Sequence, residues 1–177
     1  LKALNDFKII SKIGLGSGID SAIRNIAYFL LIIKLLNILG ADQIGGYYLA
    51  MYIFWSFALV PILALSETSK VLIANHSKSK EAISNILVSA LIITGVTVLI
   101  WVLFSPFWKR IASFFNSDNK IVYYSYKSFM YLFIPYILLA FNTVIDSLFY
   151  GLGKTKYMAY QSVFTNGSVY LLAFILY

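Results

Sequence analysis

A carboxylate in oil is the first feature of this sequence that could do chemistry. Asp146 stands in "FNTVIDSLFYGLGKTKY" (residues 141–157), a run that is otherwise apolar and aromatic up to its closing glycines. A charge in the hydrocarbon region costs at least about 2.5–3.5 kcal/mol, so such an acid is expected to face a bundle interior or a water-filled cavity. There it can take up a proton, or coordinate a hard cation such as Na⁺ together with neutral oxygens. Tyr131, Pro135, Asn142 and Tyr150 fall close to one face of the same helix, mostly at spacings of four, and Pro135 is expected to kink it. The plainer reading is a structural acid near a helix end, hydrogen-bonded to a neighbour.

A second polar stripe lies near the N-terminus. Ser17, Asp20, Ser21, Arg24 and Tyr28 fall within about 100° of one another on a helical wheel. Asp20 and Arg24, four apart, can pair along the helix. Asp20 stands about 10 Å beyond Ile13 and Asp146 a similar rise from Gly153, at about 1.5 Å per residue. Two carboxylates and one guanidinium at similar depth predict a polar patch of net negative charge, able to attract a proton or Na⁺. Ser17, Tyr28 and Asn142 would offer neutral oxygens to it. Mutual neutralisation of Asp20 and Arg24 is the alternative.

These residues need elements to hold them, and composition says which. The chain is 60% hydrophobic and 12% charged, about half the charge of an ordinary soluble domain. Apolar runs long enough to span a bilayer cover roughly 13–39, 46–65, 82–107, 126–148 and 157–177. Stretches such as "ILVSALIITGVTVLIWVLF" do not alternate as barrel strands do. The fold expected is all-α, a polytopic membrane helix bundle. The first apolar run is too long for a secretory signal. With no cysteine in the chain, the redox compartment is not addressed.

Lysine and arginine placement predicts orientation. One set of connections carries Lys2, Lys8, Lys12, Lys70, Lys78, Lys80, Lys154 and Lys156; the other carries Lys109, Arg110, Lys120 and Lys127. The positive-inside rule then puts the N-terminus in the cytoplasm of a multi-pass cell-membrane protein. The net charge of +7 is read as this topology signal, and nucleic acid is not expected as a partner.

Two glycine motifs invite a nucleotide reading and fail it. "IGLGSG" (13–18) lacks the G-x-G-x-x-G spacing, and "GLGKT" (151–155) has Leu148 where a phosphate-binding loop requires glycine. Both are read as helix ends or breaks in membrane helices. His76 sits in a basic loop without the companions of a zinc or catalytic site, so neither an enzyme nor a cofactor is expected. Glu67 is expected near Lys70, Pro61 to bend its helix, and Gln161, Thr165 and Ser168 to give the last helix a polar stripe.

Four segments resemble the multidrug and toxic-compound extrusion (MATE) family. "IGLGSGIDSAI" resembles the entry to the seventh helix of that family, and "LNILGADQIGGYYLAMYIFW" its Leu-Gly-x-x-x-(Ala/Gly)-x-x-x-Leu-Ala segment. "PILALSETSKVLIANHSKSKEA" is similar to the next helix and cytoplasmic return. "YLFIPYILLAFNTVIDSLFYGLGKTKY" is similar to the fourth helix of the C-terminal lobe. The resemblance implies about five of the six helices of one lobe, with a second lobe supplied by the same chain or by a dimer partner. It also implies cation-coupled antiport, by Na⁺ or H⁺, of cationic or amphipathic small molecules.

The family's bacterial members often carry an acid where Asp146 stands. They often carry a glutamate in the first helix of the lobe, at the place of Arg24 here. Either Asp20 supplies that carboxylate one turn earlier, or Arg24 acts as a built-in cation. A lipid-linked oligosaccharide flippase of the same superfamily is the second reading, although only Arg24 is placed to meet a pyrophosphate. A non-transporting membrane scaffold is the third. Membrane lipids and a small-molecule substrate are the partners expected.

Overall fold

The computed structural model describes the backbone of residues 2–176. The side chains at positions 1–6, 8, 9, 12, 31, 35, 36 and 166–177 lie outside the described residues, and with them the expectations placed on Lys2, Lys8, Lys12 and Ser168. Five continuous helical rods account for the chain, with no strand among the described residues. They are α1 (Lys2–Ile38); α2 (Ala41–Ile53) joined to α3 (Val60–Asn75); α4 (Lys80–Phe104) joined to α5 (Trp108–Phe115); α6 (Asn119–Gly151); and α7 (Thr155–Leu176). Three of them, Ala41–Asn75, Lys80–Phe115 and Asn119–Gly151, are long and apolar enough among the described residues to cross a membrane. The bundle is all-α, as the unbroken apolar runs imply.

The rods are longer than the apolar runs that announce them. The second begins at Ala41 rather than 46, the third continues to Phe115 rather than 107, and the fourth begins at Asn119 rather than 126. Local polar groups cap the starts of the second, third and fourth rods. The Gln43 side chain accepts the Gly40 N–H at 3.3 Å, Ser79 Oγ accepts the Ala82 N–H at 3.3 Å, and Asp118 accepts the Lys120 N–H at 2.8 Å. Such caps satisfy backbone donors that the first turn leaves without partners.

Proline explains where the second and third rods change character. Before Pro61 the helix widens to a π-helix over Phe54–Leu59. Proline lacks an N–H and crowds the carbonyl four residues back, and a π-turn is one way to accommodate this. Before Trp108 a 3₁₀ turn, Ser105–Phe107, carries Pro106. Pro135, by contrast, lies within α6.

Two compact units make up the chain: residues 1–38 with 152–177, and residues 39–151. In the first, α1 and α7 run parallel. Ile13 meets Thr155 and Asp20 meets Ser162, pairs that share one register offset of 142 residues. Gly16 lies against Thr155 so closely that a Cβ there would stand 2.7 Å from the threonine hydroxyl. The glycines of "IGLGSG" therefore sit inside continuous α1, not at a helix end. The "GLGK" turn does end a helix: α6 stops at Gly151, and Gly153 adopts φ +66°, a conformation that favours glycine.

In the second unit, α2 and α3 run parallel to α6. Gly46 packs on the backbone of Tyr124 and Ser125, Ser66 donates to the Thr143 carbonyl at 2.8 Å, and Gly151 packs on Lys70 and Ile73. The third rod returns between them in sequence. Its α4 places Trp101 edge-on to Phe54, whose ring stacks on Tyr136 at 3.9 Å. Its α5 stacks Trp108 on Phe129 at 3.7 Å, and the Trp108 indole donates to Ser125 at 3.3 Å. Close approach at Gly46 and Gly151 replaces the hydrophobic drive that helices lack in lipid.

Candidate functional site

Each sequence-marked acid is buried within its own unit. Asp146, on α6 of the second unit, is 6% exposed. Asn142, one turn earlier, donates its amide N–H to one carboxylate oxygen at 3.1 Å. The turn around it is tight: Ser147, also buried, donates to the Val144 carbonyl at 2.6 Å, and Thr143 donates to Leu139 at 2.7 Å. Asn142 is a neutral donor, so this bond steadies the carboxylate without cancelling its charge.

The α6 stripe divides on inspection. Asn142 and Tyr150 are half-buried beside the acid, whereas Tyr131 and Pro135 are exposed. Lys70, on α3, lies over the Tyr150 ring at 6.0 Å and forms an ion pair with Glu67 one turn before it. The expected Glu67–Lys70 pair is therefore present. His76 is exposed at the end of α3, its Nδ1 2.9 Å from the Leu72 carbonyl.

In the first unit, Asp20 is 2% exposed. Arg24 Nη2 donates to one of its oxygens at 2.6 Å and Nε to the other at 3.3 Å. This two-pronged arrangement is the strong form of the pair. The Arg24 side chain itself remains 48% exposed. Across the α1–α7 seam, Ser162 Oγ donates to the oxygen that Nε also meets. Ser17 is half-buried and Tyr28 more open, one turn to either side of the pair.

Ser162 and Thr155 stand outside the polar stripe expected of the last helix at Gln161, Thr165 and Ser168. Gln161 and Thr165 are exposed, whereas Thr155, Met158 and Ser162 form the buried seam. A signal was there. Ile13, Gly16 and Asp20 repeat at three and four residues, and Thr155, Met158 and Ser162 repeat with the same spacing. Two matching seven-residue repeats, one bearing a glycine, are what close parallel packing requires.

Asp146 is thus buried on a membrane-length helix and Asp20 on a helix pair, and among the described residues no strand precedes either glycine motif. The family model MatE matches residues 19–175. The chain belongs to the MatE family. It is thus a membrane protein of a transporter superfamily. No curated protein and no solved structure matches the chain. The match to MatE takes in Asp20, Arg24, Asp146 and Ser162 alike.

Proposed function

We propose that this MatE chain carries out cation-coupled efflux of cationic or amphipathic small molecules. Asp146 is the coupling acid in one unit; in the other, Asp20 on α1 is a further ion-coupling acid and Arg24 the group that tunes it. The observation that supports the reading is the burial of Asp146 in a membrane-length helix with an amide donor one turn away. A carboxylate so placed exchanges a proton or a Na⁺ at a large change in its solvation energy. Coupling requires such an energetic difference between loaded and empty states. Asp20, with a bidentate guanidinium and a hydroxyl donor, has its oxygens already engaged and suits a supporting role. Ser17 and Tyr28 accompany Asp20 in this account, Asn142 and Tyr150 accompany Asp146, and the N-terminus faces the cytoplasm.

Flipping of a lipid-linked oligosaccharide is the second reading. Arg24 favours it, since its half-exposed guanidinium could also meet a phosphate. Transport assays on the full-length protein in vesicles separate the two. Asp146→Asn is expected to abolish the dependence of efflux on pH or Na⁺. Unchanged dependence in that variant refutes the coupling role.

A further inference from the structure

The second unit contains a cavity that neither acid touches. It measures about 560 Å³, within the range of about 300–1,000 Å³ typical of small-molecule sites. Its walls come from the three membrane-length rods: the π-helical stretch with Phe54 and Phe57, the α4–α5 rod with Thr97, Trp101 and Trp108, and α6 with Phe129. We propose that this cavity binds an alkyl chain of a membrane lipid. The proposal rests on the chain's residence in a bilayer and not on the coupling role of Asp146.

The wall chemistry selects the ligand. No charged side chain lines the cavity. Its two hydroxyls are already committed, Thr97 to the Ile93 carbonyl at 3.0 Å and Ser105 to the Val102 carbonyl at 2.8 Å. A cation or an anion would therefore enter without a counter-charge, at a cost of several kcal/mol. Two of its rings are already stacked within the wall, Phe54 on Tyr136 and Trp108 on Phe129 with ring planes 5° apart. Aliphatic groups such as Ile53, Ile100 and Ile111 line the cavity beside the rings, and these suit a saturated chain.

Depth identifies the source. The α4 residues at the cavity, Thr97 to Phe104, stand about 26–36 Å along the helix from Lys80, at about 1.5 Å per residue. A hydrocarbon core is about 30 Å thick. The cavity thus lies toward the end of the crossing remote from the His76–Ser79 turn. There α5 presents Trp108, Ile111 and Phe115 to the cavity, while Lys109 and Arg110 lie exposed on its other face. That is the pattern of a helix lying at a membrane interface. The rim residues Phe57, Ile100, Phe104 and Phe115 are exposed, so the mouth opens on apolar surface at the edge of the hydrocarbon core.

The tryptophans allow a direct test. Trp101 and Trp108 line the cavity yet are 8% and 5% exposed, whereas Trp55 is 47% exposed and does not line it. The full chain carrying Trp55→Phe is reconstituted in phosphatidylcholine vesicles whose acyl chains are brominated or plain. Bromine quenches tryptophan on contact, so brominated chains are expected to remove most of the Trp101 and Trp108 emission. Ala58→Phe or Thr97→Phe, each filling the cavity, should restore it. Emission indifferent to bromination overturns the proposal. So does quenching that persists in a folded filled variant, or quenching obtained only with a soluble aromatic amphiphile in plain lipid. The Trp55→Phe protein alone decides the matter if neither filled variant folds.

Discussion

Gly46→Ala is the sharpest perturbation of the bundle that carries Asp146. A Cβ at Gly46 would lie 2.5 Å from Tyr124 Cβ and 2.7 Å from both the Ser125 nitrogen and the Tyr124 carbonyl carbon. Carbon atoms prefer about 3.5–4.0 Å, so α2 and α6 must part by roughly 1 Å, which alone forfeits a large share of the local contact energy. The obstacle is mainly backbone, and no rotamer change relieves it. Overpacking of this kind costs about 1–3 kcal/mol, and the upper half of that range applies here. For a chain of this size each kcal/mol moves Tm by about 2–4 °C, which gives a fall of about 4–12 °C. Thermal melting in detergent, followed by tryptophan emission, reads it directly. Trp108 donates to Ser125, so the displaced segment of α6 also reports through a red-shifted spectrum. Gly45→Ala is the control, because its Cβ would meet only the Ile121 side chain, at 3.5 Å or more. Alanine there is expected to be neutral or stabilising, by up to about 1 kcal/mol of helix propensity. A Gly46→Ala protein that melts with the wild type or above it refutes the packing argument.

Two further outcomes concern the first unit. Ser162→Ala removes the hydroxyl that reaches Asp20 across the α1–α7 seam. Interhelical hydrogen bonds in membranes are worth about 0.6 kcal/mol on average and up to about 1.7. The high end is expected for a charged acceptor, so melting should fall by a few degrees and recover in Ser162→Thr; an unchanged melting curve contradicts the bond. Arg24→Glu replaces the guanidinium paired with Asp20 by a second acid one turn away. Its melting temperature is expected to rise with NaCl over choline chloride more steeply than that of the wild type, and an equal or smaller response counts against cation binding at this position.

The helices were legible in the sequence because oil-immersed segments must satisfy every backbone group internally. Their apolar runs are therefore long and unbroken. Their ends were not, since hydropathy marks only the lipid-facing portion. The helical backbone of Ala41–Gly45, Lys80–Glu81 and Asn119–Ser125 continues into polar sequence where Gln43, Ser79 and Asp118 can cap it. Pro61 announced an irregularity but not its kind. Whether a helix widens to a π-turn, as at Phe54–Leu59, depends on what packs beside it. Asp20, Arg24 and Asp146 were legible as charges that an apolar segment keeps only for a reason. Ser162 was not: its meaning comes from Asp20, 142 residues away in sequence, and only the α1–α7 register joins them. The cavity beside the π-turn was equally hidden, because Trp101, Trp108 and Phe129 look like ordinary core or interfacial residues until three rods converge.

The account turns on whether the Asp146 carboxylate changes state when the coupling ion comes and goes. Difference infrared spectroscopy on the reconstituted protein, recorded as pH or Na⁺ is switched, observes that event in the carboxyl stretching region. The account predicts a band change in the wild type that is missing from Asp146→Asn and retained in the control Glu67→Gln. Spectra of wild type and Asp146→Asn that change alike on the switch would contradict it.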